Sequence, residues 1–243
     1  MKKLLTITAL AAVMAMAGCS RDQQPQGSLS FSVQALDQVA DASRSQLSSY
    51  VTLPSTADFI LAITDDSGAS VWEGKLSQWN SSTALPAGNY KVKATYGSPD
   101  EEGFDKPAFE GEKGFAIQGG QQTSVAITVK LVNCLVRTEF TTAFKNYFKD
   151  YSFTVSTAAG TNISFPRTET RAAFMDAYRF TISGSMTNQY GASLTFPAKQ
   201  YSDLEAATCY TVKFDAASTG GLTVQISFND TVETVDLGEV ELN

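Results

Sequence analysis

Between positions 90 and 96 the chain sets Tyr90, Val92, Ala94 and Tyr96 on alternate residues, with Lys91, Lys93 and Thr95 between them. That period of two suits a strand with one buried face and no helix. The same signature recurs in short runs throughout the chain. Leu29, Phe31 and Val33 alternate with serines, and further runs cover 58–64, 69–73, 109–118 and 123–131. Turn chemistry punctuates them: Asp65-Asp66-Ser67-Gly68, Leu85-Pro86-Ala87-Gly88-Asn89, and the Gly119-Gly120 pair. Many short strands bounded by Gly, Asn and Asp predict a β-sandwich. The polar stretch 37–58 reads as one long loop.

At residue 131 the pattern begins again. Val132, Cys134, Val136 and Phe140 share one strand face, and strands follow near 151–157, 162–165, 178–183, 193–198, 208–215, 222–228 and 231–242. Phe144, Tyr147 and Phe148 fall at helical spacing, which predicts one short helix near 142–149 with those rings on its buried side. The expected fold class is all-β: two tandem antiparallel β-sandwich domains of immunoglobulin-like or transthyretin-like type, over 28–130 and 131–243. One larger mixed sandwich is the alternative.

The beginning of the chain reads as processing signal. Lys2 and Lys3 precede an uncharged apolar stretch over 4–16, and Ala17-Gly18-Cys19 follows. Small residues before a cysteine fit cleavage after residue 18 and transfer of diacylglycerol to the Cys19 thiol. Thirteen residues are too few to span a hydrocarbon core of ~30 Å. Residues 1–18 are therefore expected to be a lipoprotein signal peptide and 19–27 a polar tether. Lipid on Cys19 would anchor the protein to a membrane, the outer membrane in this reading. Arg21 and Asp22 after the cysteine leave surface against periplasmic orientation open, with the surface favoured.

Composition removes several classes of function. The chain holds 18 basic and 25 acidic residues, a formal net charge of −7. Nucleic acid is not expected as a partner, since its recognition needs a basic patch. There is no histidine, which rules out a Ser-His-Asp triad, a Cys-His pair and histidine-ligated zinc or iron. Carboxylate pairs could still hydrolyse glycosides across a cleft, but nothing distinguishes one pair from the rest. No catalytic residue, metal site or cofactor is assigned, and the chain is not expected to be an enzyme.

Several pieces together resemble a known family. They are Gly27-Ser28-Leu29-Ser30-Phe31, Ala57-Asp58-Phe59-Ile60-Leu61-Ala62-Ile63 running into Asp66-Ser67-Gly68, and Leu85-Pro86-Ala87-Gly88-Asn89-Tyr90-Lys91-Val92. The stretch over 104–115, the run Val129-Lys130-Leu131-Val132-Asn133, residues 144–156 and Glu169-Thr170-Arg171-Ala172-Ala173-Phe174 complete the set. The chain resembles the Bacteroides lipoproteins catalogued as domain of unknown function 4493, a likeness that implies export and lipidation and no particular activity. More loosely it is similar to fimbrillin-like lipoproteins, which implies two transthyretin-like sandwiches in tandem. In those proteins an arginine-specific protease removes the leading segment, and a strand donated by the next subunit fills the gap. The similarity would make Arg44 (or Arg21) a cleavage point and self or another surface protein a partner by strand exchange. The first strand and the last (232–243) would be the exchangeable ones.

Other candidates each have a plain structural alternative. Trp79, beside Asn80 and Ser81, could be a ligand platform for a glycan, or could pack on the core. The acids Asp100, Glu101, Glu102, Asp105, Glu110 and Glu112 could offer oxygens to calcium, but lack a calcium-loop spacing. Asp230-Thr231-Val232 resembles an O-glycosylation sequon at Thr231, and also suits a strand turn. Strand parity puts Cys134 inward with Val132 and Val136 but Cys209 with Thr211 and Lys213 on the outward face. A disulfide between them would need a bulge, or a face assigned wrongly to one of the two.

Overall fold

The computed structural model describes residues 24–37, 46–216, 223–228 and 231–236. Cys19, Arg21 and Arg44 lie outside them. In the N-terminal half the chain forms β1 (Gln26–Ala35), β2 (Ile60–Asp65), β3 (Ser70–Lys75), β4 (Ala84–Pro86), β5 (Gly88–Tyr96), β6 (Gly103–Phe104), β7 (Phe109–Ile117) and β8 (Gln122–Leu131). Seven of these join in the order β3-β2-β5-β7-β8-β1-β4. Strict alternation does what it should: Val92 and Ala94 are fully buried beside Leu61 and Ile63 of β2 and Ile127 and Val129 of β8.

The sheet folds over at β7 and β8. Their ladder holds only at Phe109 opposite Leu131 and Glu110 opposite Lys130. Gly111 marks the crossing, because a Cβ there would lie 2.2 Å from the Thr128 carbonyl oxygen. Only glycine lets the two backbones approach so closely.

The second half contributes β9 (Cys134–Phe140), α1 (Thr142–Tyr147), β10 (Phe148–Thr157), β11 (Asn162–Pro166), β12 (Ala173–Met175), β13 (Arg179–Asn188), β14 (Ser193–Ser202), β15 (Cys209–Ala216), β16 (Thr223–Phe228) and β17 (Thr231–Asp236). A four-stranded sheet, β11-β10-β13-β14, faces a six-stranded one, β17-β16-β15-β9-β12-β6. Between them sits an aromatic core in which Phe153 and Phe214 have ring centroids 4.1 Å apart. α1 is short. Thr141 caps it by accepting the Phe144 N–H at 3.2 Å, and the chain turns extended again at Phe148. Phe144 and Phe148 are buried and Tyr147 half-buried, as the helical spacing predicts.

The expectation of a sandwich-like all-β fold stands, with differences in detail. Two ladders are parallel rather than antiparallel, β1 with β8 and β9 with β15. Each joins strands far apart in sequence, where a long connection lets the chain re-enter in the same direction. Leu85 and Pro86, expected in a turn, belong to β4, which pairs with Gln26–Ser28. Proline is tolerated there because β4 lies at the sheet edge. The loop read over 37–58 carries 3-10 turns at Leu47–Ser49 and Thr56–Asp58, and the first buries Leu47.

The six-stranded sheet has core on both faces. Cys134 and Val136 of β9, Ala173 and Met175 of β12, and Tyr210 and Val212 of β15 join the aromatic cluster. Their neighbours Leu135, Phe174 and Cys209 join the N-terminal cluster instead. Strand β6, an N-terminal segment, pairs with β12 and lays Phe104 on the Phe165 ring at 5.3 Å. Asn133, fully buried, ties the junction together. Its side-chain carbonyl accepts the Ala108 N–H at 3.2 Å, its amide donates to the Lys106 carbonyl at 2.9 Å, and its backbone carbonyl accepts the Ala207 N–H.

Candidate functional site

β1 is the element that the candidate site is built around. Eight residues, Ser28–Ala35, run parallel to β8, and Leu29 and Val33 point into the core. On the other side β4 covers only Gln26, Gly27 and Ser28. Immediately past that point the Trp79 indole N–H donates to the Leu29 carbonyl at 2.9 Å. The ring also meets Phe31 edge-on at 5.2 Å and Trp72 at 5.0 Å, and Phe31 in turn meets Phe115 at 5.9 Å. Trp79 is therefore half-buried and latches the uncovered edge of β1.

The other residues singled out from sequence fall as follows. Thr231 opens β17, opposite Phe228 of β16, and β17 is an edge strand of its sheet. Asp65 is turn chemistry: its Oδ1 accepts the Ser67 hydroxyl at 2.6 Å and the Ser67 and Ala69 N–H groups at 2.9 and 3.0 Å. Those donors, the Ser67 hydroxyl foremost, hold its carboxyl below the ordinary value. Gly68 supplies the positive φ of +81° that the turn requires.

The acids that could have gathered a cation are dispersed among separate partners. Glu101 pairs with Lys106 at 3.0 Å and Asp105 with Arg171 at 2.7 Å, while Glu110 and Glu112 pair across strands with Lys93 and Lys91. Glu102 accepts the Thr157 hydroxyl and the Asp176 N–H. Among the described residues no three His, Cys, Asp or Glu side chains are grouped to hold a metal. Cys134 and Cys209 are both buried and are not joined by a disulfide. They sit on opposite faces of one sheet, which matches their parity. Cys209 faces the N-terminal core rather than solvent, a point that parity alone could not reveal.

Sequence reasoning missed one feature, a cavity of about 360 Å³ beside the far end of β9. Its charged lining comes from β9, α1, β15 and the segment after β11. No local pattern links these residues, and only the parallel β9–β15 ladder brings them together.

The family model for Domain of unknown function (DUF4493) matches residues 25–241. The chain belongs to the DUF4493 family. No curated protein matches it. Among solved structures, a fimbrial assembly protein from Parabacteroides distasonis is similar at 10% identity and a TM-score of 0.48, over 86% of this chain and 97% of that one. The fimbrial anchor protein Mfa2 from Porphyromonas gingivalis is similar at 9% identity and a TM-score of 0.35, over 85% and 98%. A Bacteroides eggerthii protein provisionally described as a cell adhesion protein gives 10% and 0.45, over 87% and 94%. Among the described residues of this DUF4493 chain, no helix is long and apolar enough to cross a membrane.

Proposed function

We propose that this DUF4493 protein is a structural or adhesive component of the cell envelope, lipid-anchored through Cys19 and assembled by exchange of β1. In this reading it comprises two sandwich domains with their boundary near residue 131, carries no catalytic centre, and is held at the outer membrane with its surface facing outward. The observation that carries the reading is the way β1 is held. One parallel ladder and a few core side chains bind it on one side, and among the described residues the other edge beyond Ser28 is held by the Trp79 indole latch. Its connection to the rest of the chain runs through the segment that contains Arg44. After a cut there, β1 would stay with the lipid on Cys19 and have no covalent link to the rest of the chain. A strand from a second molecule could then take its place on β8, and the assembled body would be held through its neighbours rather than through its own lipid. Edge strand β17 is the natural donor in the same scheme.

Limited digestion with an arginine-specific protease, followed by sizing, tests this directly. The intact protein should run as a monomer and the cut protein should form oligomers. Arg44→Ala should abolish the change, and Trp79→Phe should hasten it by removing the latch. Monomers before and after cleavage at Arg44 would sink the assembly reading. Membrane fractionation of Cys19→Ser, expected to release the protein from the envelope, tests the anchor separately.

A further inference from the structure

β1 is fastened once more just past its end. The ladder to β8 closes with Ala35 opposite Val129, and the Leu36 N–H adds a bond to the Val129 carbonyl at 3.0 Å. Asp37 then meets Ser48. One carboxylate oxygen accepts the Ser48 N–H at 2.7 Å, and the other accepts the Ser48 hydroxyl at 2.6 Å. Hydrogen bonds to an ionised acceptor are short and roughly twice as strong as neutral ones.

The partner belongs to the body of the protein. Ser48 lies in the 3-10 turn Leu47–Ser49. The N–H groups that open such a turn have no partner within it, and here the acceptor comes from Asp37 rather than from the capping residue Gln46. The turn itself is firmly seated. Leu47 is fully buried in the N-terminal core, and the Arg137 guanidinium of β9 lies 5.6 Å from the centre of the Tyr50 ring that follows the turn. Asp37 thus ties the end of β1 to a fixed point.

Arg44 stands between Asp37 and Ser48 in the sequence. A cut there breaks the chain inside the span that the two bonds close, so β1 keeps this fastening. Cleavage and release are then separate events. A strand that displaces β1 either offers Ser48 a new acceptor or hands both donors back to water. A hydrogen bond to a charged group is worth about tenfold or more in an equilibrium.

We propose that Ser48 is a carboxylate lock for whichever strand lies on β8. It retains β1 after cleavage. It also selects the incoming strand, favouring one with apolar side chains at the places of Leu29 and Val33 and an acid at the place of Asp37. Its use rests on the strand-exchange reading above, but the lock operates in the uncut protein as well.

Hydrogen exchange of the intact, full-length protein is the first test. Asp37→Ala should speed exchange of the Leu36 amide at least about tenfold. Asp37→Asn, which still accepts the Ser48 N–H, should fall between. In the second test, protein cut by an arginine-specific protease is challenged with fluorescent peptides of residues 24–40, one native and one carrying Asp37→Ala. The native peptide should bind at least about tenfold more tightly. Ser48→Ala in the protein should shrink that difference, because the two changes remove one shared interaction. A peptide with Gln34→Ala should bind like the native one, since Gln34 is exposed. Unchanged exchange at Leu36 in Asp37→Ala, or no preference for the native peptide, would overturn the proposal. If both tests come out as expected and the cut protein still stays monomeric, the assembly reading fails and the lock stands.

Discussion

Each half of the molecule is closed by a parallel pair, β1 on β8 and β9 on β15, yet the two opening strands are held in very different ways. β1 buries one face, through Leu29 and Val33, and among the described residues its opposite edge pairs with three residues of β4 and takes a hydrogen bond from the Trp79 indole. β9 buries both faces. Cys134 and Val136 enter the aromatic core while Leu135 between them enters the N-terminal core, all fully buried. It is also flanked by β15 and β12 at once. A strand with one buried face can leave and be replaced at the cost of one row of side chains. A strand buried on both faces is a wall shared by two cores, and removing it opens both.

The largest effect should come from the aromatic core. Phe153 is fully buried against Phe214, and Phe153→Ala should cost about 3–5 kcal/mol in urea unfolding. Both tryptophans, Trp72 and Trp79, lie in the N-terminal half, so their fluorescence reports on that half alone. If the six-stranded sheet is a shared wall, the fluorescence midpoint should fall together with the circular-dichroism midpoint. A fluorescence midpoint that stayed in place would break the comparison.

Leu29→Ala in β1 should cost about 2–4 kcal/mol, since the residue is fully buried. Its diagnostic consequence is local. Hydrogen exchange of the β1 amides should accelerate well beyond that of β9, and should already be faster in the unaltered protein. Equal protection of the two strands would mean that β1 is not separable.

Asn133→Ala comes next. It removes two side-chain hydrogen bonds and leaves the Ala108 N–H buried without its acceptor, a loss of about 2–3 kcal/mol. Because Asn133 fastens the junction of the halves, the two spectroscopic transitions should separate in this variant. A single coincident transition would show that the sheet alone couples them.

How far all this could be read from the sequence depended on how local the cause was. The alternation at Tyr90, Val92 and Ala94 placed a buried face correctly, because the pleat dictates it within a few residues. The turn at Asp65 was legible for the same reason. β6 and β12 were not, since Gly103–Phe104 and Ala173–Met175 are too short to show a period and extend only because they pair with each other and with β9. Trp79 stands out in the sequence for its polar neighbours, yet its partner is the Leu29 carbonyl fifty positions away. The cavity was invisible: Lys145 and Lys213 look like ordinary solvated lysines until the β9–β15 register and the early end of β12 bring them to one opening.

Cys134 provides the smallest test and probes the doubly buried strand by pH. Burial pushes its thiol up to about 12, against roughly 8.5 in an unfolded chain. Below about 8.5 both states keep the proton and the stability contribution is complete. As pH rises from there towards 12, the unfolded chain releases a proton that the folded one retains, so unfolding is favoured. At pH 10 the loss should be about 2 kcal/mol. Urea midpoints of the unaltered protein and of Cys134→Ala, followed from pH 8 to pH 10, isolate this term, because other groups titrate alike in both. The alanine variant should start less stable and decline less steeply. Parallel declines would mean that the thiol ionises in the folded state, and therefore that β9 is open to water on the face where the aromatic core should seal it.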